Sequence, residues 1–309
     1  MTTQIDGLLV VDKPGGVSSA GAVERVKRAV GAARAGHGGT LDPIATGVLA
    51  VCLGAATKLA QYVLADDKAY EAEGLFGIET DTLDRTGVVT AERPVDVSRD
   101  ALIAALAGRL GEQDQLPPMY SAIKQGGIRN YRRARAGESE DIERTPRRIR
   151  IDELALLELD GPRFRIAIAC GKGTYVRSIL ADLGEQLGCG AHMTGLRRTR
   201  SGALTIAQAV TIEQLPGLDL APHLIPLTSI TTLPTVIVDP ALVASVLNAI
   251  QMPPERLNTG DHEKFQLVDP AGRLLAIAHR QGTVVAYDRV FPQCAPSTTA
   301  LVHVGRGRR

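Results

Sequence analysis

Apolar residues along the first two thirds of the chain recur with two different periods, which predict strands and helices in alternation. The predicted strands are continuous or alternating apolar runs at residues 7–12, 48–53, 69–76 and 164–170. The predicted helices carry apolar residues at helical spacing: 23–30 before Gly31, 57–63 after Thr57, 98–110 between Ser98 and Gly111, and 176–187. This mixture predicts an α+β fold.

The pattern changes after a passage rich in proline and leucine, residues 215–234, which has no clear period. Beyond it we expect one helix at 241–250 and short strands at 265–268, 274–278 and 284–287, separated by glycines. We therefore predict two domains, 1–230 and a small, mostly β domain at 231–309.

Composition describes an ordinary soluble globular protein, because 44% of its 309 residues are hydrophobic and 22% are charged. The N-terminus lacks a basic segment followed by a long apolar one, and no apolar run is long enough to span a membrane. We therefore expect a cytoplasmic protein without a membrane partner. The four cysteines are far apart and form no CxxC pair, so we expect buried free thiols rather than a zinc site or disulfides.

The net charge of +1 conceals local clustering of basic residues. Residues 124–150 contain nine Lys or Arg against four acids, and a second cluster consists of Arg197, Arg198 and Arg200. Such runs are often only solvated faces. Two arginine-rich stretches in a nearly neutral chain nevertheless favour contacts with phosphate, which the planar guanidinium binds well.

The segment HGGTLDPIATG, residues 37–47, places the carboxylate of Asp42 in a loop with glycines on both sides. Pro43 fixes its own φ and favours an extended Asp42, so this segment does not suit a helix interior. One interpretation is an Asx-turn in which Asp42 only bonds nearby backbone groups. The other is a carboxylate held ready to contact a ligand.

A second candidate site follows the strand at 164–170, which runs through the turn GKGT into a helix. Tyr175 and Arg177 fall in the first turn of that helix, where backbone N–H groups lack partners and attract anions. Lys13, in KPGG, could also hold a phosphate, but the chain contains no GxxxxGK, so a nucleotide P-loop is a poor alternative.

Four separated motifs occur in a characteristic order: GLLVVDKPGGVSS, GHGGTLDPIATGVL, DKAYEAEGLFGIETDTLDRTG and CGKGTYVRSILADLGEQLGCGAHMTGLRRTRSG. In order and spacing they resemble the bacterial tRNA pseudouridine synthases of the B type, which isomerise uridine-55 in the T loop of tRNA. The resemblance covers residues 7–215 and implies the pseudouridine-synthase fold, with a mixed, largely antiparallel central sheet and flanking helices. The C-terminal module looks like the PUA domain of that family.

The resemblance also implies roles for individual residues. It places the family's catalytic residues on Asp42, Tyr70 and Arg177. It places substrate contacts on His37, Lys13, Asp84, Tyr175 and Leu196, and an RNA-gripping insertion on a segment that includes Lys124, Arg129 and Arg132. Two departures stand out: Gly38 replaces the usual threonine, which would loosen the loop, and the insertion is unusually rich in arginine.

The chemistry that the resemblance implies fits these residue types. Isomerisation detaches uracil from the ribose, turns it and rejoins it through C5 without redox change, so no cofactor or metal is required. An ionised carboxylate can attack the sugar or remove the C2′ hydrogen, and Arg177 would keep Asp42 charged. His37 could fill the gap that the flipped base leaves. The expected partner is the tRNA T stem-loop, with no obligate protein partner and a monomeric chain.

Each residue taken alone has an ordinary structural explanation. Tyr70 on an alternating strand could be core, His37 a structural histidine, and Arg177 a surface cation. Two other functions stay open: a non-catalytic RNA-binding or tRNA-folding protein, and a carboxylate-dependent glycosidase or nucleosidase with Asp84 as its second acid.

Overall fold

The computed structural model describes residues 5–64, 67–121, 124–125, 128–129, 133 and 144–292. The predicted RNA-gripping side chains of Lys124, Arg129 and Arg132 lie outside the described part of the chain, as does Cys294.

The described chain contains strands, short α-helices and several 3-10 turns. The strands are β1 Gly7–Lys13, β2 Ala35–His37, β3 Thr46–Leu53, β4 Lys68–Phe76, β5 Ile78–Thr80, β6 Val89–Glu92, β7 Gly111–Gln115, β8 Lys124–Gln125, β9 Ile128–Arg129, β10 Arg147–Asp160, β11 Arg163–Cys170, β12 Ala191–Ser201, β13 Leu204–Thr205, β14 Val210–Thr211, β15 Leu224–Ile225, β16 Thr235–Ile237, β17 Lys264–Val268, β18 Leu274–Gln281 and β19 Val284–Val290. The α-helices are α1 Ser19–Val30, α2 Ala60–Leu64, α3 Arg99–Ala107, α4 Val176–Gln186 and α5 Val243–Leu247. The 3-10 helices are Gly54–Leu59, Ile206–Gln208, Ile212–Gln214, Ala221–His223, Leu227–Ser229, Pro240–Leu242 and Pro254–Leu257.

Eleven strands form the main sheet, whose backbone order is β14-β1-β3-β12-β4-β11-β10-β7. β1 with β14 and β3 with β12 are parallel pairs, and the other pairs of this sheet are antiparallel. The predicted α+β class, with a mixed and largely antiparallel sheet, is confirmed. β12 and β4 lie at the centre of this order.

α1, α3 and α4 cover one face of this sheet, whereas Val63 of α2 belongs to an apolar cluster on the opposite face. α1 begins where the Ser18 side chain accepts a hydrogen bond from Gly21 N, and it ends at Gly31, whose φ of 68° is left-handed. Its buried Ala22, Val23 and Val26 belong to the main core, together with the inward residues of α3 and α4. The hydrophobic spacing along the chain therefore identified the correct buried faces.

Three features differ from the sequence-based expectations. The helix capped by Ser98 ends at Gly108, and Gly111 begins β7 instead. The helix expected at 57–63 is a 3-10 turn followed by the five residues of α2. The long strands β10 and β12 carry charged residues at many positions, and this hides the alternation by which a strand is recognised.

The C-terminal domain is a four-stranded sheet with the order β16-β17-β18-β19. It packs on the face of the main sheet opposite α1, α3 and α4, where Ile277 and Phe291 share an apolar cluster with Leu8 and Val10. The passage at 215–234 is not a separate linker, because β15 within it pairs with β1 of the main sheet. The helix expected at 241–250 is reduced to a 3-10 turn and α5.

Cys52, Cys170 and Cys189 are buried and free, as expected. Burial raises the pKa of the Cys52 thiol to about 12 and that of Cys170 to about 11, so both stay protonated. In the described part of the chain, no helix has both the length and the apolar character that crossing a membrane requires.

Candidate active site

The loop that presents Asp42 is held on both sides by hydrogen bonds. The hydroxyl of Ser19, at the start of α1, accepts a hydrogen bond from Leu41 N at 2.8 Å and donates to Leu41 O at 3.0 Å. On the other side, Gly16 N donates to Pro43 O at 2.8 Å. Asp42 lies between these anchors with its side chain 37% exposed, so the carboxylate reaches solvent from a fixed backbone.

Lys13, the last residue of β1, supports the same loop. It is fully buried, and its Nζ donates to Pro14 O at 2.8 Å, Val17 O at 2.7 Å and Pro43 O at 3.4 Å. Burial lowers the pKa of its amine to about 8, although the negative charge of Asp42 acts in the opposite direction. Since its three donors meet backbone carbonyls, Lys13 holds the turn around Pro43 rather than facing the solvent.

Arg177 brings together three parts of the chain that are distant in sequence. Its Nε lies 3.0 Å from Asp42 Oδ2, and its Nη1 donates to Thr82 O at 2.8 Å. Its Nη2 donates to Tyr120 O at 3.0 Å. The side chain is only 7% exposed, so the guanidinium at the start of α4 is a fixed positive charge beside Asp42.

Asp84 is held by its own loop rather than open to solvent. Its Oδ1 accepts hydrogen bonds from Thr86 N at 2.9 Å, Thr86 Oγ1 at 2.6 Å and Thr82 Oγ1 at 3.0 Å. Its Oδ2 lies 3.5 Å from Arg177 Nη1, and its side chain is 8% exposed. Asp84 therefore acts on Asp42 through the position and charge of Arg177.

The beginning of α4 is fixed by a glutamine at the end of β7. Gln115 is buried, accepts from Tyr175 N at 2.8 Å and donates to Tyr175 O at 3.0 Å. The Tyr175 N–H is thus satisfied, contrary to the expectation of a free donor at this helix start. Burial raises the pKa of the Tyr175 phenol, while the charge of Arg177 lowers it. The phenol therefore lies within electrostatic range of the Asp42–Arg177 pair.

Tyr70 and Arg198 lie directly opposite each other on β4 and β12. Tyr70 is buried, which raises the pKa of its phenol, and its hydroxyl is hydrogen bonded to Arg198, which acts in the opposite direction. Arg198 also donates to Val48 O at 2.7 Å, Gly39 O at 3.3 Å and Thr40 O at 3.4 Å. The guanidinium therefore joins the tyrosine to both ends of the loop that carries Asp42.

These contacts correct the interpretation of Arg197 and Arg198 as part of a phosphate-binding surface. Arg198 is almost completely buried, and Arg197 forms a two-point ion pair with Asp12 at 2.7 and 3.1 Å. The backbone of Arg198 also lies very close to that of Gly47 on the neighbouring strand β3. A Cβ on Gly47, whose φ is 98°, would lie 2.2 Å from Arg198 O, so only glycine fits there.

His37 is the last residue of β2 and lies opposite Val51 of β3, half-buried and five residues before Asp42. The following Gly38 donates from its N–H to Ala50 O at 2.9 Å. A Cβ at Gly38 would lie 2.6 Å from both Cβ and Cγ1 of Val63 in α2. Gly38 is therefore closely packed, which is contrary to the expectation that it loosens the loop.

The structure thus gathers most of the sequence-predicted residues at one end of the central strands. Leu196 is half-buried on β12, two residues before Arg198, and packs against the main core. Three positioning residues were not predicted from the sequence: Ser19, Gln115 and Arg198 as a buried group. Of these, only Arg198 lay in a segment that the sequence singled out, as a member of the second arginine cluster.

Chemically, the site offers an accessible carboxylate, a fixed guanidinium and two phenols. Within the described residues, no group of three or more His, Cys, Asp or Glu is arranged to hold a metal ion. The arrangement suits acid–base or nucleophilic chemistry by Asp42 on a substrate that enters from solvent.

Comparison with known families places this geometry in context. Residues 27–176 match the sequence profile described as TruB family pseudouridylate synthase, N terminal domain. Residues 177–223 match that of the tRNA pseudouridylate synthase B C-terminal domain.

Individual proteins show the same similarity. The chain is 43% identical to tRNA pseudouridine synthase B of Burkholderia lata over 94% of its own length and 92% of that protein. It is 50% identical to the protein of the same name from Aromatoleum aromaticum over 69% of each. Among solved structures, a chain of a Cbf5-Nop10-Gar1 complex superposes with a TM-score of 0.70 at 26% identity, covering 92% of this chain and 84% of that one.

Proposed function

The chain belongs to the TruB family of pseudouridylate synthases and acts on tRNA, and from this premise we propose that it isomerises uridine-55 of the T loop, with Asp42 as the reacting carboxylate. The observation that supports this most is the ion pair between Asp42 and Arg177, two residues that lie 135 positions apart in the sequence yet 3.0 Å apart in space. Such a pair, with the carboxylate partly exposed and the guanidinium buried, is suited to act on a bound substrate.

The reaction needs an ionised carboxylate near ribose C1′ and C2′ of a flipped nucleotide. Asp42 either attacks C1′ as the bond to N1 breaks, or removes the C2′ proton as uracil leaves. After the base turns, C5 bonds to C1′. In the first route this displaces the Asp42 carboxylate from C1′, and in the second the removed proton returns to C2′. The C5 proton then passes to water, and N1 gains a proton. Atoms and electrons balance within the nucleotide, so the product has the mass of the substrate.

The other predicted residues have supporting roles in this proposal. Tyr70 is buried on β4, and its phenol, whose pKa is raised by burial, stays protonated and can donate. Leu196 provides an apolar contact for uracil, and His37, which precedes the loop of Asp42, fills the gap that the displaced base leaves in the RNA. Lys13 and Asp84 keep Asp42 and Arg177 in place through the contacts described above.

The geometry of Asp84 disfavours a glycosidase or nucleosidase. A second catalytic acid must reach the leaving group, whereas Asp84 is buried and bonded by Thr82, Thr86 and Arg177. An experiment distinguishes the proposal from the non-catalytic RNA-binding alternative, because only the proposal requires the Asp42 carboxylate for turnover.

The test uses T-arm RNA carrying tritium at C5 of uridine-55 and measures tritium release to water. Asp42→Asn should reduce release by on the order of 10²- to 10⁴-fold or more, while the Kd for the RNA stays close to wild type. Asp182→Asn is the matched control, because Asp182 pairs with Arg109 at 3.3 Å outside the cleft and is similarly exposed, at 44%. Turnover retained in Asp42→Asn would remove this carboxylate from the mechanism, and tight binding without release in wild type would favour the non-catalytic alternative.

A further inference from the structure

β10 carries three arginines on two different faces of the main sheet. Ile149 and Ile151 are buried on the helix-covered face. Because side chains alternate along a strand, Arg147 projects on that same side, whereas Arg148 and Arg150 project on the other.

The two arginines of the opposite face are already compensated by acids. Arg148 lies 3.4 Å from Glu112 and 3.7 Å from Asp114. Arg150 lies 2.8 Å from both Asp67 and Asp152. Arg147 is exposed and forms no ion pair with any residue that the structure describes.

Arg147 also lies at the edge of the candidate active site. It pairs with Gln115 across β7 and β10, and Gln115 is the residue that fixes the backbone of Tyr175. The charge of Arg147 acts on the Tyr175 phenol, as do the charges of Arg177 and Asp42. A cation that no described acid compensates therefore lies beside Gln115 and Tyr175, at the start of the helix that carries Arg177, the partner of Asp42.

We propose that Arg147 binds a backbone phosphodiester of the substrate RNA close to the nucleotide that enters the site. This inference rests on the proposed function, since it takes RNA as the substrate. A guanidinium without an acidic partner retains its attraction for a polyanion, and its planar fork fits two phosphate oxygens. The guanidinium groups of Arg148 and Arg150 are instead paired with carboxylates of the protein.

The experiment compares Arg147→Gln with Arg148→Gln, which are adjacent and remove the same charge from the chain. The Kd for unmodified T-arm RNA is measured over a range of salt concentrations, and tritium release is measured under single turnover at saturating enzyme. For Arg147→Gln we expect weaker binding at low salt and a slope of log K against log salt that is shallower by roughly 0.7–0.9, the contribution of one phosphate. The single-turnover rate at saturation should stay close to wild type, because phosphate contacts position the RNA.

Arg148→Gln should keep the wild-type slope, and Arg147→Lys should restore most of it, because a point charge still neutralises a phosphate. An unchanged slope in Arg147→Gln, or an equal loss in Arg148→Gln, would overturn the inference. Tritium release by the wild-type chain tests the proposed function separately. A chain that releases tritium with no effect of Arg147 on the slope would refute only the phosphate contact.

Discussion

Gly38 offers the sharpest structural prediction, because its substitution meets a rigid neighbour. A Cβ at this position would lie 2.6 Å from Cβ and Cγ1 of Val63, whereas carbon atoms in contact normally lie about 3.5–4.0 Å apart. The gap must widen by about 1 Å, and Val63 cannot rotate away, because its Cβ is fixed to the backbone of α2. Gly38→Ala therefore requires α2 or the loop to shift.

Overpacking of this kind costs about 1–3 kcal/mol. Gly36→Ala is the matched control two residues earlier, because its Cβ would meet only Thr57 Cγ2, at an ordinary 3.7 Å. Neither glycine has a positive φ, so alanine also restricts the unfolded chain, which stabilises the fold by about 0.4–1 kcal/mol. Gly36→Ala should thus be neutral or slightly stabilising, and Gly38→Ala should lower the free energy of unfolding relative to it by about 2 kcal/mol.

The measurement is urea unfolding of both variants and wild type, with tritium release as the functional readout. Because His37 precedes Gly38 directly, the shift should also lower kcat in Gly38→Ala but not in Gly36→Ala. The double variant Gly38→Ala with Val63→Ala should recover part of the loss, since it removes Cγ1 but keeps Cβ. Equal stability of the two alanine variants would show that α2 yields freely and that the packing at Gly38 is unimportant.

Two further predictions concern buried cations. The pKa of Lys13 in the fold, about 8, lies below its ordinary 10.5, so the unfolded chain binds this proton more tightly. The free energy of unfolding should therefore increase relative to that of Lys13→Met as the pH rises from about 8 to 10.5, by at most ~1.4 kcal/mol per pH unit. The comparison between the two proteins isolates Lys13, because the raised pKa values of the Cys52 and Cys170 thiols lower the stability of both proteins in the upper part of this range. Denaturant unfolding at pH 8, 9 and 10 checks it, and parallel curves for the two proteins would contradict it. The second prediction concerns Arg198→Lys. A single ammonium cannot reach Val48 O, Gly39 O and the Tyr70 hydroxyl together. We therefore expect the free energy of unfolding to fall by about 2 kcal/mol and kcat to be lower. Wild-type values of both quantities would refute the bridging role of this guanidinium.

The sequence predicted those parts of the fold in which one periodicity dominates. β1, β3, β4 and β11 were located within one or two residues, because their apolar runs are bounded by clear turn residues. β12 was missed although it is central, because its LRRTR segment looks like a charged surface. Hydrophobicity does not reveal a strand whose buried position is occupied by an arginine bonded to backbone carbonyls.

The candidate site was predictable to a similar degree. Motif order and the loop around Asp42 indicated which residues belong together, and the structure brings Asp42 and Arg177 into contact. The residues that hold the site in place, Ser19 and Gln115, were not predictable. Both are common polar residues whose function depends on the backbone groups to which they are hydrogen bonded. A single sequence records residue types but not which hydrogen bonds they satisfy.

Arginine shows why charge in the sequence and charge available to a ligand are different quantities. Arg177 and Arg198 are buried, and their donors are used on a carboxylate, a phenol or backbone carbonyls, so both stabilise the pocket. Arg148 is exposed but neutralised by acids, so it adds little attraction for a polyanion. Arg147 has neither kind of partner among the described residues, and it lies opposite Gln115, the residue that holds Tyr175 at the start of α4. For a substrate as highly charged as tRNA, affinity should therefore depend on such uncompensated positions at the rim, while the buried cations determine how accurately the carboxylate is held.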